Sequence, residues 1–508
     1  MAETIEQLLA AGADDAPAIS APERETLTYG ALRALVDRTV RALNDSGVGR
    51  DDAVAIVLPN GPEMATAFVA IAAGATAAPL NPAYREDEFA FYLNDLESRL
   101  LIVMAGDDTP ARAVAARQGI PIAELTVLPG MAAGEFSLAT TGSGKRTVKG
   151  GYAKPDDVAL VLHTSGTTSR PKIVPLTQRN VNRSAANVAA AVALTPADRC
   201  LNVMPLFHIH GLIAAVLSTL SAGAEICCTP GFNALKFFAW LDGVKPSWYT
   251  AVPTMHQAIL ARAGRNPDSV KRARLRFARS SSSSLPPQVM KELEDTFGCP
   301  VIEAYGMTEA AHQMASNPLP PRARKPGTVG VAAGPEIAIM DEQRNDAFKP
   351  AGQIGEVVIR GPNVTPGYRN NPDANASSFT QQGWFRTGDQ GVLDEEGYLT
   401  ITGRIKELIN RGGEKISPRE VDEVMMDHPA VAQAVTFAMP HDKLGEEVAA
   451  AVVLREGQSV DERGLRDFVA ARLADFKVPR KILFLEEIPK GATGKLQRIG
   501  LAKKLGLG

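Results

Sequence analysis

The 508-residue chain is too long for one ordinary hydrophobic core, so it predicts a large multilayered part plus at least one smaller domain. Its composition, 45% hydrophobic and 22% charged with a formal net charge of -3, is that of a soluble globular protein and excludes a general attraction for nucleic acid or anionic lipid. Only four cysteines occur, Cys200, Cys227, Cys228 and Cys299, without CxxC spacing, which excludes a disulfide framework and points to a reducing compartment, with cytoplasm as the expected location.

Residues 1–17 are acidic and lack a basic segment followed by an apolar run, and the terminal LGLG is no retention or peroxisomal signal, so no targeting address is expected. Short apolar bursts at 54–58 and 158–162 alternate with Ala-rich segments of helical length such as 182–194, which is α/β patterning. Residues 64–84 and 201–224 contain no Asp, Glu, Lys or Arg. Both are Ala-rich and broken by Pro and Gly, and the second carries His208 and His210, which predicts a strand, loop and buried helix in place of a membrane span.

From about residue 326 the texture changes to Gly and Pro punctuation around short strands at 355–360 and 397–402, the mark of a β-rich subdomain. After Gly403 the chain becomes charged, then predicts a helix over 418–426, strands near 431–437 and 448–454, and a helix over 462–474. The expected architecture is an N-terminal domain over 1–402, with the β-rich subdomain at about 326–402, followed by a small α+β domain over 403–508. Adjacent Cys227 and Cys228 follow an apolar segment and read as packed strand residues.

The segment Thr164-Ser165-Gly166-Thr167-Thr168-Ser169-Arg170-Pro171-Lys172 follows one apolar strand and precedes another at 173–176. Backbone N–H groups, clustered hydroxyls and a cation in such a turn can replace the hydration of a polyphosphate. A plain solvated loop leaves Lys172 and the flanking strands without an explanation. Gly142-Ser143-Gly144-Lys145 imitates a Walker-type loop but lacks the earlier Gly and the following Ser or Thr, and reads as a surface loop.

Five motifs occur in order: this loop, Tyr305-Gly306-Met307-Thr308-Glu309, Thr387-Gly388-Asp389, Gly403-Arg404-Ile405-Lys406, and Pro489-Lys490 before Thr493-Gly494-Lys495. Together they resemble, over essentially the whole chain, the superfamily of acyl-CoA synthetases, adenylation domains of peptide synthetases and luciferases. Ser169 and Ile173 stand where that superfamily usually or often has Gly, a departure that bears on phosphate affinity.

The resemblance implies ATP, Mg2+ and coenzyme A as ligands and the following roles. Thr164, Ser165, Gly166, Thr167, Thr168 and Lys172 hold the β- and γ-phosphates; Tyr305 lies on adenine; Thr308 touches the α-phosphate; Glu309 ligates magnesium. Asp389, helped by Arg404, accepts hydrogen bonds from the ribose hydroxyls. Lys495, on a C-terminal domain that swings about a hinge at Lys406, bridges the α-phosphate and the attacking carboxylate. Gly412 and Gly413 line the CoA channel after that swing. A carboxylate attacking a phosphate builds negative charge, which magnesium and a lysine oppose.

The superfamily's acid pocket is formed by the segment around Pro205-Leu206-Phe207-His208, the serine run at 280–284 and the residues after Glu309. Here these positions supply His208, His210, five serines and His312, donors suited to a small, doubly charged acid. The strings at 205–211, 248–253, 312–318 and 410–417 resemble the oxalate-CoA ligase group, which implies oxalate and assigns His208, Ser282 and His312 to the acid. Ser280 and Ser283 remain alternatives to Ser282; His208 and His210 also read as satisfied core groups, and a metal pair is the weakest reading because further ligands are lacking. Malonate, acetate or an aromatic acid, or a carrier protein in place of CoA, are the rival substrates.

Overall fold

The structure is a computed structural model and describes residues 2–140, 147, 149–164, 171–343, 346–490 and 496–508. The lookalike loop at 142–145 lies outside them. A seven-stranded sheet runs in the order Ser137–Thr140, Ile122–Thr126, Leu100–Met104, Ala53–Val57, Thr76–Pro79, Val158–Thr164, Lys172–Thr177. Its central strand is parallel to both neighbours and buried at every position, as a strand covered on both faces must be.

A nine-stranded sheet runs in the order Val331–Ala332, His312–Ser316, Val301–Met307, Phe277–Ser280, Trp248–Ala251, Arg199–Asn202, Glu225–Cys228, Pro17–Ser20, Leu27–Thr28. One apolar core joins the two sheets, and the charge-free segments of the sequence contribute Met64, Phe68, Leu212 and Val216 to it. Residues 64–84 supply part of helix Pro62–Ala72, buried at every position, and then strand Thr76–Pro79. Its acid, Glu63, is neutralised by Arg24 at 2.5 Å. Residues 201–224 finish strand Arg199–Asn202 and then form a fully buried π-helix, His210–Leu217, continued by helix Ser218–Ser221. Among the described residues no helix is long and apolar enough to cross a membrane.

Strands Glu336–Met340, Gly355–Arg360, Phe385–Leu393 and Leu399–Arg404 form an antiparallel sheet. Its one accompanying helix, Pro372–Ser378, buries no residue, which is why helical periodicity fades in this stretch. The C-terminal sheet runs Glu414–Ile416, Ile409–Arg411, Gly445–Leu454, Val431–His441, with Lys481–Phe484 pairing Gly445–Leu454. Ile409, Val421 and Val452 share a core with Val289, Met290 and Leu293 of helix Pro287–Phe297, so this sheet is seated on the large nine-stranded layer.

Two helix boundaries differ from the sequence expectation. The helix expected over 182–194 is Gln178–Ala191, because Thr177 and Asn180 form a capping box that starts it earlier. The helix expected to end at 474 stops at Ala470, where the amides of Arg472 and Leu473 both turn back to the Val469 carbonyl. All four cysteines are free and buried, and burial pushes the Cys227 thiol up to about 12, which suits packing and not thiolate chemistry.

Candidate active site

Strands Val158–Thr164 and Lys172–Thr177 are antiparallel neighbours, and Thr164 faces Lys172 in their register. Ser165, Gly166, Thr167 and Thr168 lie outside the described residues, but the two ends of their loop are thus held side by side. Lys172 Nζ sits 4.3 Å from the ring centroid of Tyr368. Burial lowers the affinity of Lys172 for its proton; Glu309 opposes that shift and the charge of Lys406 adds to it. Lys406, in the short turn Ile405–Glu407, therefore stands within electrostatic reach of the loop's end.

Thr308 and Glu309 begin a single 3-10 turn after strand Val301–Met307. Glu309 is buried, and its Oε1 accepts a 2.8 Å bond from the Tyr368 hydroxyl. Burial pushes the Glu309 carboxyl up, while hydrogen bonds, Arg404 and Lys172 pull it back. Thr365 ties this turn to the hairpin of Val158–Thr164 and Lys172–Thr177: its amide donates to the Glu309 carbonyl at 2.7 Å and its hydroxyl to the Pro175 carbonyl at 2.7 Å.

Asp389 and Arg404 are register partners on neighbouring strands, and Arg404 Nε donates to Asp389 Oδ1 at 3.0 Å. From the other side the Tyr305 hydroxyl donates to Asp389 Oδ2 at 2.5 Å. The Asp389 carboxylate raises the Arg404 pKa further above its usual range, keeping a fixed positive charge beside Tyr305. Three residues from three separate motifs thus meet at one carboxylate.

The strand that carries Tyr305 turns at Glu309 and returns as His312–Ser316, pairing Met307 with His312 and Gly306 with Gln313. A Cβ on Gly306 would lie 1.7 Å from the His312 carbonyl oxygen, so only glycine allows this hairpin to close. The hairpin joins Tyr305 on one arm to His312, an acid-pocket candidate, on the other. Ala311 and His312 both hold positive φ, 48° and 100°.

The His312 ring lies 5.1 Å from the ring of His210, and His210 is the hub of this polar cluster. His210 Nδ1 is 3.0 Å from Ser282 Oγ and Nε2 is 2.6 Å from Thr250 Oγ1. His208 Nδ1 accepts from the His210 amide at 3.3 Å. The two histidines do not alternate along a strand: His210 opens the buried π-helix, and this helical geometry turns it inward while His208 stays half-buried. Of the serines, Ser282 meets His210 in this network, at φ 75°; Ser281 bonds the Ala304 carbonyl, Ser280 is buried and Ser283 is exposed.

Gly412 and Gly413 form the turn between Ile409–Arg411 and Glu414–Ile416, with φ of 60° and 101°. Their amides bond Leu444 O and Asn410 Oδ1, within the C-terminal domain. Nothing lies within 4 Å of a Cβ built on Gly413, so the backbone conformation, and not crowding, demands glycine there. Lys495 lies outside the described residues. Its flanks are fixed by an isolated bridge between Lys490 and Leu496 and by an ion pair between Arg498 and Asp422.

Sequence reasoning missed Tyr368, Thr250, Gln313 and Arg279 as members of these clusters. Arg279 is fully buried in strand Phe277–Ser280, and its only sequence signal is a charge set between apolar strand residues and the serine run. Among the described residues no group of three His, Cys, Asp or Glu side chains could hold a metal ion by itself.

A family model described as AMP-binding enzyme matches residues 7–369, and its C-terminal domain model matches 420–495. The chain belongs to the AMP-binding enzyme family. As an AMP-binding enzyme it is 47% identical over 489 residues to an Arabidopsis thaliana protein named oxalate–CoA ligase, covering 95% of this chain and 94% of the relative. A Saccharomyces cerevisiae protein of the same name is 43% identical over 519 residues, covering 96% of this chain and 94% of the relative. The crystal structure of ATP-bound MatB from Rhodopseudomonas palustris superposes with TM-score 0.87 at 28% identity over 99% of each chain. The apo form of the same protein scores 0.78.

Proposed function

We propose that this AMP-binding enzyme is an ATP-dependent oxalate–CoA ligase. A carboxylate oxygen of oxalate attacks the α-phosphorus of ATP and diphosphate leaves; the CoA thiol then attacks the acyl carbon of oxalyl-AMP, and AMP leaves with the carboxylate oxygen it gained. The observation that carries the reading is the carboxylate of Asp389 held between Tyr305 and Arg404 beside the buried Glu309 turn. It is supported by the full-length similarity to two proteins named oxalate–CoA ligase and by the better superposition on an ATP-bound than on an apo relative.

In this reading Asp389 turns its remaining lone pairs to the ribose hydroxyls, Tyr305 lies on adenine, and Lys172 with residues 164–168 neutralises the outer phosphates. Thr308 contacts the α-phosphate. A lone buried carboxylate, Glu309, suits Mg2+, which is held by one or two carboxylates plus waters and phosphate oxygens. When bound, the ion neutralises phosphate charge. Lys495, on a mobile domain of residues 403–508 hinged at Lys406, brings its ammonium to the attacking carboxylate and withdraws before Gly412 and Gly413 line the path of the CoA arm. His208, Ser282 and His312 hold the acid.

The test is a panel of oxalate, malonate, acetate and benzoate at equal concentration with ATP, Mg2+ and CoA. AMP release and CoA consumption highest with oxalate support the reading. Turnover of another acid with none of oxalate removes oxalate, and diphosphate exchange without CoA consumption points to a carrier protein as acceptor.

A further inference from the structure

Arg279 has no exposed surface, yet among the described residues it forms no ion pair with any carboxylate. Its Nη2 donates to Gln313 Oε1 at 3.1 Å, and its Nη1 lies 3.5 Å from both Thr250 Oγ1 and His210 Nε2, while Nε has no partner. Gln313 is locked in this orientation, because its amide nitrogen donates to the carbonyls of Asn187 and Ala333, leaving its oxygen for the guanidinium. A buried cation without a counter-ion is costly, and proteins retain one where a ligand supplies the missing charge. Burial lowers its pKa to about 10, so the guanidinium remains charged at neutral pH.

The contacts also have a direction. A guanidinium can only donate, so His210 Nε2, facing Arg279 and Thr250, is the accepting nitrogen and Nδ1 carries the proton. That proton points at Ser282 Oγ, 3.0 Å away. Once Ser282 accepts from His210, its own hydroxyl proton is free to donate to a ligand, and Ser282 is only half-buried in the serine turn. The relay runs outward from Arg279 through Thr250 and His210 to a hydroxyl donor. Each bond polarises the next.

We propose that Arg279 is the positioning residue that makes the acid pocket selective for a small dianion: it is the buried counter-charge for the acid's second carboxylate, and it orients the Ser282 hydroxyl toward that carboxylate through Thr250 and His210. The inference rests on the assignment of His208, Ser282 and His312 to the acid.

Arg279→Met keeps bulk and removes charge. The expected result is a rise of at least tenfold in KM for oxalate with KM for ATP within twofold of wild type, a fall in the ratio of kcat/KM for oxalate over acetate, and partial recovery in Arg279→Lys. An unchanged oxalate KM, or an equal loss with both acids accompanied only by a lower melting temperature, overturns the proposal. Should Arg279→Met fail to fold, Thr250→Val tests the relay with the guanidinium retained: a severalfold rise in oxalate KM supports it and an unchanged value overturns it. Wild-type enzyme that ignores oxalate sinks the oxalate reading itself, whereas wild-type oxalate turnover with an indifferent Arg279→Met sinks only the role of Arg279.

Discussion

The hydroxyl of Tyr305 donates a 2.5 Å hydrogen bond to Asp389, a residue 84 positions later in the chain. The contact stitches the nine-stranded sheet to the four-stranded sheet and, with Arg404 on the opposite oxygen, holds the carboxylate from both sides. Hydrogen bonds to a charged group contribute about 1.5–3 kcal/mol, so Asp389→Asn should raise KM for ATP roughly 10- to 100-fold. Tyr305→Phe leaves Arg404 in place and keeps the ring, and should cost only a few-fold. Steady-state kinetics with varied ATP separates the two variants.

Glu309 is the carboxylate that the Tyr368 hydroxyl and the turn at Thr365 hold in place. Glu309→Gln preserves the size and the bond from Tyr368 but removes the charge. Turnover should fall by at least about 100-fold, the order expected when a charge that opposes transition-state phosphate repulsion is lost or misplaced. The Mg2+ concentration for half-maximal rate should rise in parallel, and a magnesium titration of both proteins checks it.

Lys495→Ala should reduce adenylation by orders of magnitude while thioester formation from supplied oxalyl-AMP is much less affected. Asp422→Asn loosens the Arg498 ion pair that anchors the chain just after Lys495 and should give the same pattern more weakly. Single-turnover measurements of each half-reaction decide; equal loss in both steps contradicts a role confined to adenylation.

Glu303, fully buried next to Ser280 in the sheet register, has its carboxyl pushed up from 4.5 to about 7 by burial, against the pull of Arg419 and the Leu285 amide. Between those two values the folded protein holds a proton that the unfolded chain has released. Stability contributed by this group is therefore present below about pH 4.5 and lost as pH rises through about 7. Glu303→Gln can keep the bond from Leu285 without the charge, and should be more stable than wild type at pH 8, by up to about 3 kcal/mol, with the difference shrinking toward zero by about pH 4. Thermal melts of both proteins at the two pH values check the sign.

The cluster around Asp389 was legible because its members, Tyr305, Glu309, Asp389 and Arg404, sit in short motifs that need only be recognised one by one. The charge-free segments at 64–84 and 201–224 were legible as buried structure because Pro, Gly and His contradict a membrane span. The histidine cluster was less so. That His210 and not His208 is the hub follows from a π-helix opening at His210, a tertiary outcome that the local pattern Pro-Leu-Phe-His-Ile-His does not encode. Arg279 carries no local signal of its burial, because a charged strand residue is ordinarily turned to solvent and its partners Gln313 and Thr250 come from other strands. Tyr368 belongs to no motif, and only folding brings it to Glu309 and Lys172.

The central claim is that the protein joins a carboxylate to the α-phosphorus of ATP. Exchange of labelled diphosphate into ATP, measured with Mg2+ and without CoA, tests it most directly. Label should enter ATP when oxalate is added and stay out when the acid is omitted; absence of exchange across oxalate and the wider acid panel would contradict the account.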